Sequence, residues 1–290
     1  MITAKRVGTG LWVAGAVLLV VFLDWKLDSV SATTALIAVL SCAALLELLR
    51  MLESAGMAVD KVPAVATLAG ALVLRAVAPS LELSPHEARE LSLAVLAGGA
   101  LYPVVAGVAR SGREPPSLDA LRRAAATTFA LVYVGLLATF LMELRMLGGG
   151  RGAPTGLGLA VLLAACVKVG DSAAYFVGRT IGRIPLCPVS PKKTWEGSVA
   201  SVIASVATAA AVGHVVLGHD LRAVVGFGLV ADLAGQGGDL VESWVKRALG
   251  RKDSSEAFGE MGGFLDVADA ILVAAPPAFV WAQIVIVRGG

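Results

Sequence analysis

Histidine and cysteine are scarce in this chain, three of each in 290 residues. Cys42, Cys166 and Cys187 stand singly and far apart, which excludes a disulfide framework and a cysteine-based zinc site. Charged residues are few, 16%, and the net charge of +2 gives no reason to expect a nucleic-acid partner. No segment alternates apolar and polar residues long enough to read as a strand, and an open sheet edge cannot persist in lipid. No internal repeat is visible, so a transporter built on inverted repeats gains no support.

What abounds is apolar. The residues AVILMFWYC make up 57%, 33 glycines come on top, and the mean hydropathy is +0.80. An ordinary soluble enzyme, a disordered tail and a fibrous repeat are excluded on that composition. A membrane-spanning helix needs about 20 mostly apolar residues. Nine windows qualify: 7–23, 31–49, 62–79, 91–109, 124–142, 155–177, 197–217, 221–243 and 264–287. The expected fold is therefore all-α, a polytopic membrane protein of about nine transmembrane helices. The first window follows Lys5 and Arg6 as a signal peptide would, but no small-residue cleavage site comes after it, so it is read as retained.

Lys and Arg assign the sides. Sixteen of the 24 fall at the N-terminus or in loops 2–3, 4–5, 6–7 and 8–9, and six on the opposite side. The bias predicts a cytosolic N-terminus and a multi-pass protein of the cell (inner) membrane. Composition divides the chain into N-terminal helices 1–90, middle helices 91–150 (a candidate dimer contact) and a C-terminal catalytic region 151–290. Polar groups at membrane depth concentrate after residue 150.

Ionisable groups inside a span point to function. Lys168, Asp171, Tyr175 and Arg179 share one face of span 6 by their spacing. Ser190, Lys192, Lys193 and Thr194 precede the next helix, where ammonium and backbone N–H groups suit phosphate oxygens. Asp232, Asp239, Glu242, Ser243 and Lys246 run down span 8 as a stripe, with Gly235, Gly237 and Gly238 expected to interrupt that helix. A basic loop follows, from Lys246 and Arg247 to Arg251, Lys252, Asp253 and Ser254. Asp266 and Asp269 open span 9 on a common face. Carboxylates from two helices beside lysines and arginines suit Mg²⁺ together with substrate phosphates. This predicts phosphoryl or nucleotidyl transfer at the cytosolic face. His86, His214 and His219 fall on or near the other side and supply no base.

At these residues the chain resembles the phosphatidate cytidylyltransferase (CDP-diacylglycerol synthase) family. The family's S-x-x-K-R-x4-K-D-x-[GSA] stands as Ser243 to Arg247 and Lys252 to Ser255, and its H-G-G-x-x-D-R-x-D as Met261 to Asp269. Its D-[ST]-x-A-Y-x-x-G-[RK] stands as Asp171 to Arg179, and its S-P-[KG]-K-T-x-[EQ]-G as Ser190 to Gly197. A weaker similarity covers Glu47 to Gly56, ending span 2. Met261 replaces the family His, and Val267 the family Arg.

The resemblance implies transfer of CMP from CTP to phosphatidic acid in the bilayer, by a homodimer using Mg²⁺, with a second cation left open. It implies Asp239 and Asp266 as the principal Mg²⁺ ligands, with Asp269 and Asp171 supporting the metal or nucleotide site. Lys246, Arg247 and Ser243 would join the two acids at the catalytic centre. Asp171, Tyr175, Arg179, Ser190, Lys192, Lys193, Lys252 and Asp253 would bind substrate. Rival readings are a CTP-dependent lipid kinase of the polyprenol or phytol type, a cation-coupled transporter and an inactive homologue.

Overall fold

Each apolar window falls on one helical rod of the computed structural model, the window 197–217 running one residue past its rod; the structure describes residues 4–27, 29–110, 117–148, 154–251, 253–255, 257 and 262–287. The rods are α1 (Ala4–Leu27), α2 (Ser31–Ser54), α3 (Lys61–Leu81), α4 (Pro85–Arg110), α5 (Leu118–Arg145), α6 (Pro154–Thr180), α7 (Trp195–Val216), α8 (Leu221–Ala248) and α9 (Phe264–Val287). Eight of them, α2 to α9, contain a stretch long and apolar enough to cross a membrane. The side chains of α1 are described only from Gly15 onward. Among the described residues there is no strand, only an isolated bridge between Pro185 and Thr194. The chain is an all-α, multi-pass membrane protein.

Most rods outrun their apolar windows, and the surplus turns carry charge. Arg179 ends α6, and Lys246 and Arg247 end α8 rather than belonging to the loop beyond it. The hydrogen-bond ladder of a helix does not stop where hydropathy does, because each added residue closes a bond. Helix α8 is also continuous across Gly235, Gly237 and Gly238, against the expected interruption. At Gly235 and Gly238, close packing against Val167 of α6 and against Asp269, Ala270 and Val273 of α9 offsets the roughly 1 kcal/mol that a glycine costs a helix interior.

The chain divides into two compact units. One comprises residues 1–142 and 249–268. Its core is an apolar stripe on α2 (Ala44, Leu45, Leu48, Leu49) against Leu68 and Leu72 of α3 and Leu131 of α5. Asp24, buried at the end of α1, accepts the Ala32 and Thr33 amide N–H groups at 2.8 Å each and so caps α2. The other unit comprises residues 143–248 and 269–290. There α6 packs on α7 and α8, around Leu159, Leu162 and Cys166 of α6 and Val224, Phe227 and Ala231 of α8. Trp281 of α9 donates its indole N–H to the Ala223 carbonyl of α8 at 2.8 Å. Large apolar side chains stand exposed on the rods, such as Val105 and Val108 on α4 and Ile203 on α7, as lipid-facing surfaces require.

Candidate active site

In the second unit, α8 brings Asp239 and Glu242 against Asp269 of α9. The three carboxylates each offer an oxygen within 4.8 Å of the others. Gly238 makes this approach possible: a Cβ there would stand 2.8 Å from the Val273 Cβ and 3.1 Å from the Asp269 carbonyl. Glu242 and Asp269 are buried, and Asp239 is half-buried.

Two lysines answer these acids. Lys193 pairs with Asp239 at 2.5 Å and Lys246 with Glu242 at 2.6 Å. The Ser243 hydroxyl donates to Asp239 at 3.4 Å. Lys168 lies 3.9 Å from Asp171, and Asp269 is within electrostatic reach of Lys168, Asp171 and Asp239. Three clustered carboxylates without counter-charge would repel one another strongly at membrane depth. An all-oxygen set of this kind fits a hard divalent cation, with Asp239, Glu242 and Asp269 as the holding residues.

The connection from α6 to α7 delivers Lys193. The Leu186 amide donates to the Lys193 carbonyl at 2.8 Å, the Lys193 amide to the Ser190 carbonyl at 3.0 Å, and the Trp195 amide to the Ile184 carbonyl at 2.9 Å. Thr194 caps α7 by accepting the Gly197 N–H at 3.2 Å. Glu196 turns back to accept the Arg183 amide at 3.1 Å. The loop is thus a closed turn with its lysines displayed. Trp244, Arg247 and Ala248 at the end of α8, with Pro188, Val189 and Pro191 of this loop, line a cavity of about 590 Å³.

The polar stripe of span 6 resolves into two local pairs. Lys168 meets Asp171, while Arg179 donates to the Tyr175 hydroxyl at 2.7 Å and lies 5.9 Å from the centre of its ring. Asp232 is a separate network. It accepts the Ser201 hydroxyl at 2.6 Å and the Gln236 amide at 2.5 Å, and ties α7 to α8.

Asp266 belongs to the first unit. One of its oxygens accepts the Ser254 amide at 2.9 Å, the Ser254 hydroxyl at 2.5 Å and the Gly263 amide at 2.8 Å. Asp253 lies beside Ser254 in the same loop. Lys252 and Met261 lie outside the described residues. In the sequence Glu242 stands on the polar stripe but outside the acids expected to hold the metal. Its three-residue spacing from Asp239 was the available signal. Among the described residues no histidine joins the carboxylate trio.

A family model described as the cytidylyltransferase family matches residues 4–285. The phosphatidate cytidylyltransferase of Brucella suis biovar 1 (strain 1330) is 37% identical over 155 residues, covering 53% of this chain and 56% of that protein. Phosphatidate cytidylyltransferase 5, chloroplastic, of Arabidopsis thaliana is 33% identical over 165 residues, covering 50% and 41%. The Mycobacterium leprae (strain TN) phosphatidate cytidylyltransferase is 35% identical over 168 residues, covering 57% and 51%. The aligned part spans about half the length of these curated relatives.

Proposed function

The chain belongs to the cytidylyltransferase family, and from that premise we propose that it transfers CMP from CTP to phosphatidic acid, giving CDP-diacylglycerol and pyrophosphate. The observation that carries this reading is the trio Asp239, Glu242 and Asp269 with Lys193 and Lys246 paired into it. A nucleotidyl transfer needs such an arrangement: acids for a cation and ammonium groups for phosphate oxygens.

A phosphate oxygen of phosphatidic acid attacks the α-phosphorus of CTP. The bond from that phosphorus to the β-bridging oxygen breaks, and pyrophosphate leaves with the electron pair. The attacking monoester is already anionic near neutral pH, so the protein's task is placement and charge neutralisation. Asp239, Glu242 and Asp269 would hold Mg²⁺, which would supply Lewis-acid polarisation of the reacting phosphate. Lys193 and Lys246 exchange a carboxylate partner for phosphate oxygens as substrate enters. Asp171 and Lys168 tune the charge beside them, and Ser243 orients Asp239. Lys192, Ser190, Tyr175, Arg179, Lys252 and Asp253 complete the substrate-binding set by family resemblance. Arg247 is the cation of the cavity that Trp244, Pro188, Val189 and Pro191 wall with apolar surface. A guanidinium in an apolar wall suits a lipid phosphate.

The cytosolic placement follows from the basic bias, and the inner cell membrane and a homodimer are the setting and assembly that the reading adopts. The test is pyrophosphate release by purified protein with phosphatidic acid, CTP and Mg²⁺, with UTP and dATP as controls, and with the lipid product identified. CDP-diacylglycerol is the expected product. Phosphorylated lipid plus CDP replaces this reading with a lipid kinase, and cation flux in sealed vesicles without CTP replaces it with a transporter.

A further inference from the structure

Glu47 is a carboxylate on a membrane helix, only 6% exposed, and the activity proposed above leaves it without a task. A buried carboxylate in a span is expensive, so its partners matter. Among the described residues its three hydrogen-bond donors come from one segment more than 200 positions away. The Ser255 hydroxyl donates at 2.6 Å, the Ser254 hydroxyl at 3.1 Å and the Leu265 amide at 2.9 Å. The Leu265 N–H is one of the first-turn donors that a helix cannot satisfy internally, and an anion at that end is favoured by the α9 dipole.

Asp266 closes the same segment from within, through Ser254 and Gly263. The paired glycines make room for both acids. Gly262 has φ +84°, and a Cβ at Gly263 would collide with the Ser254 hydroxyl and the Glu47 carboxylate.

We propose that Glu47 of the second span is a positioning residue that fixes Ser254, Ser255 and the first turn of α9, and through Ser254 the neighbouring Asp253 of the substrate-binding set. The serines of the signature then face inward as loop anchors. The kinetic part of this inference rests on the proposed cytidylyltransferase activity, and the structural part does not.

The test uses the full chain in lipid nanodiscs and compares E47Q, E47A, S255A and the E47A/S255A double variant. Hydrogen exchange is read on the peptide containing Leu265, with the α8 core around Phe227 as reference. Loss of a charged hydrogen bond should speed exchange at Leu265 by about ten-fold or more in E47A and less in E47Q, with the reference unchanged. The KM for CTP should rise about five-fold or more, which a mere loss of folded enzyme does not produce. S255A should have little further effect in the E47A background, because that hydroxyl acts through Glu47. Unchanged exchange at Leu265 in E47A overturns the proposal, and so do losses that multiply in the double variant. If E47A exchanges faster throughout, E47Q and S255A decide alone: local acceleration supports the clamp, and none overturns it. Absence of pyrophosphate release by the unmodified protein defeats the functional reading and leaves the exchange result to decide the clamp.

Discussion

Lys193 Nζ lies 2.5 Å from Oδ2 of Asp239, and each side chain is about one-third exposed or less. This ion pair ties the loop before α7 to the acid trio on α8 and α9. It also sets up a competition, since a cation binding Asp239 must displace the ammonium group.

Replacing Lys193 by Met should therefore have opposite effects on the two ligands. Removing the competing charge of a partly solvated pair is worth about 1 kcal/mol, so Mg²⁺ should bind about five-fold more tightly. The KM for CTP should rise about ten-fold, because a phosphate contact is lost. Isothermal titration for the metal and initial rates for CTP check both. A parallel loss of metal and nucleotide affinity would contradict the exchange of partners.

Mg²⁺ should raise the thermal midpoint of the protein, since a ligand at 100 times its dissociation constant stabilises by about 2.7 kcal/mol. Asp239→Asn and Asp269→Asn should each abolish that shift and most turnover, and the double variant should be little worse than either. Asp266→Asn should retain most of the Mg²⁺ shift, because that carboxylate accepts the Ser254 hydroxyl and the Gly263 amide. A shift that survives in Asp269→Asn removes that residue from the site.

Asp232→Asn is expected to keep near-normal turnover while losing about 1–3 kcal/mol of stability. Its hydrogen bond to Ser201, and those of its partner Gln236 to Ser198, join α7 to α8 and are internal to that packing. Denaturation midpoints together with pyrophosphate release separate the two effects. A large fall in turnover at unchanged stability would move Asp232 into the reaction.

For topology, cysteines introduced at Lys192 and Arg251 should resist a membrane-impermeant maleimide added to intact cells, whereas one at His219 should react. Reaction at either of the first two positions would defeat the cytosolic assignment of both loops.

Restoring the family pair by Met261→His with Val267→Arg should raise turnover. One recovered charged hydrogen bond is worth about 1.5–3 kcal/mol, or roughly 10- to 150-fold. Rates at or below those of the unmodified chain would mean that the apolar pair is no handicap here.

The membrane class, the spans and the order of the motifs are legible in the linear chain. Each of these is a one-dimensional quantity: twenty apolar residues must become a helix in lipid because no water is available to satisfy the backbone. The linear chain also brings Asp239, Glu242 and Lys246 to one stripe, since helical periodicity fixes neighbours three and four apart. The tertiary structure alone decided which carboxylates meet. Asp266 and Asp269 look equivalent at spacing three, yet Asp269 faces Asp239 and Glu242, while Asp266 turns to Ser254 and Gly263. Likewise Glu47 reads as an ordinary polar residue ending a span until Ser255 and Leu265 are seen to donate to it. The physical reason is range. Helix formation and lipid partition act over neighbouring residues, whereas a buried carboxylate is satisfied by whichever donors the packed chain brings to it, and here they stand more than 200 residues away.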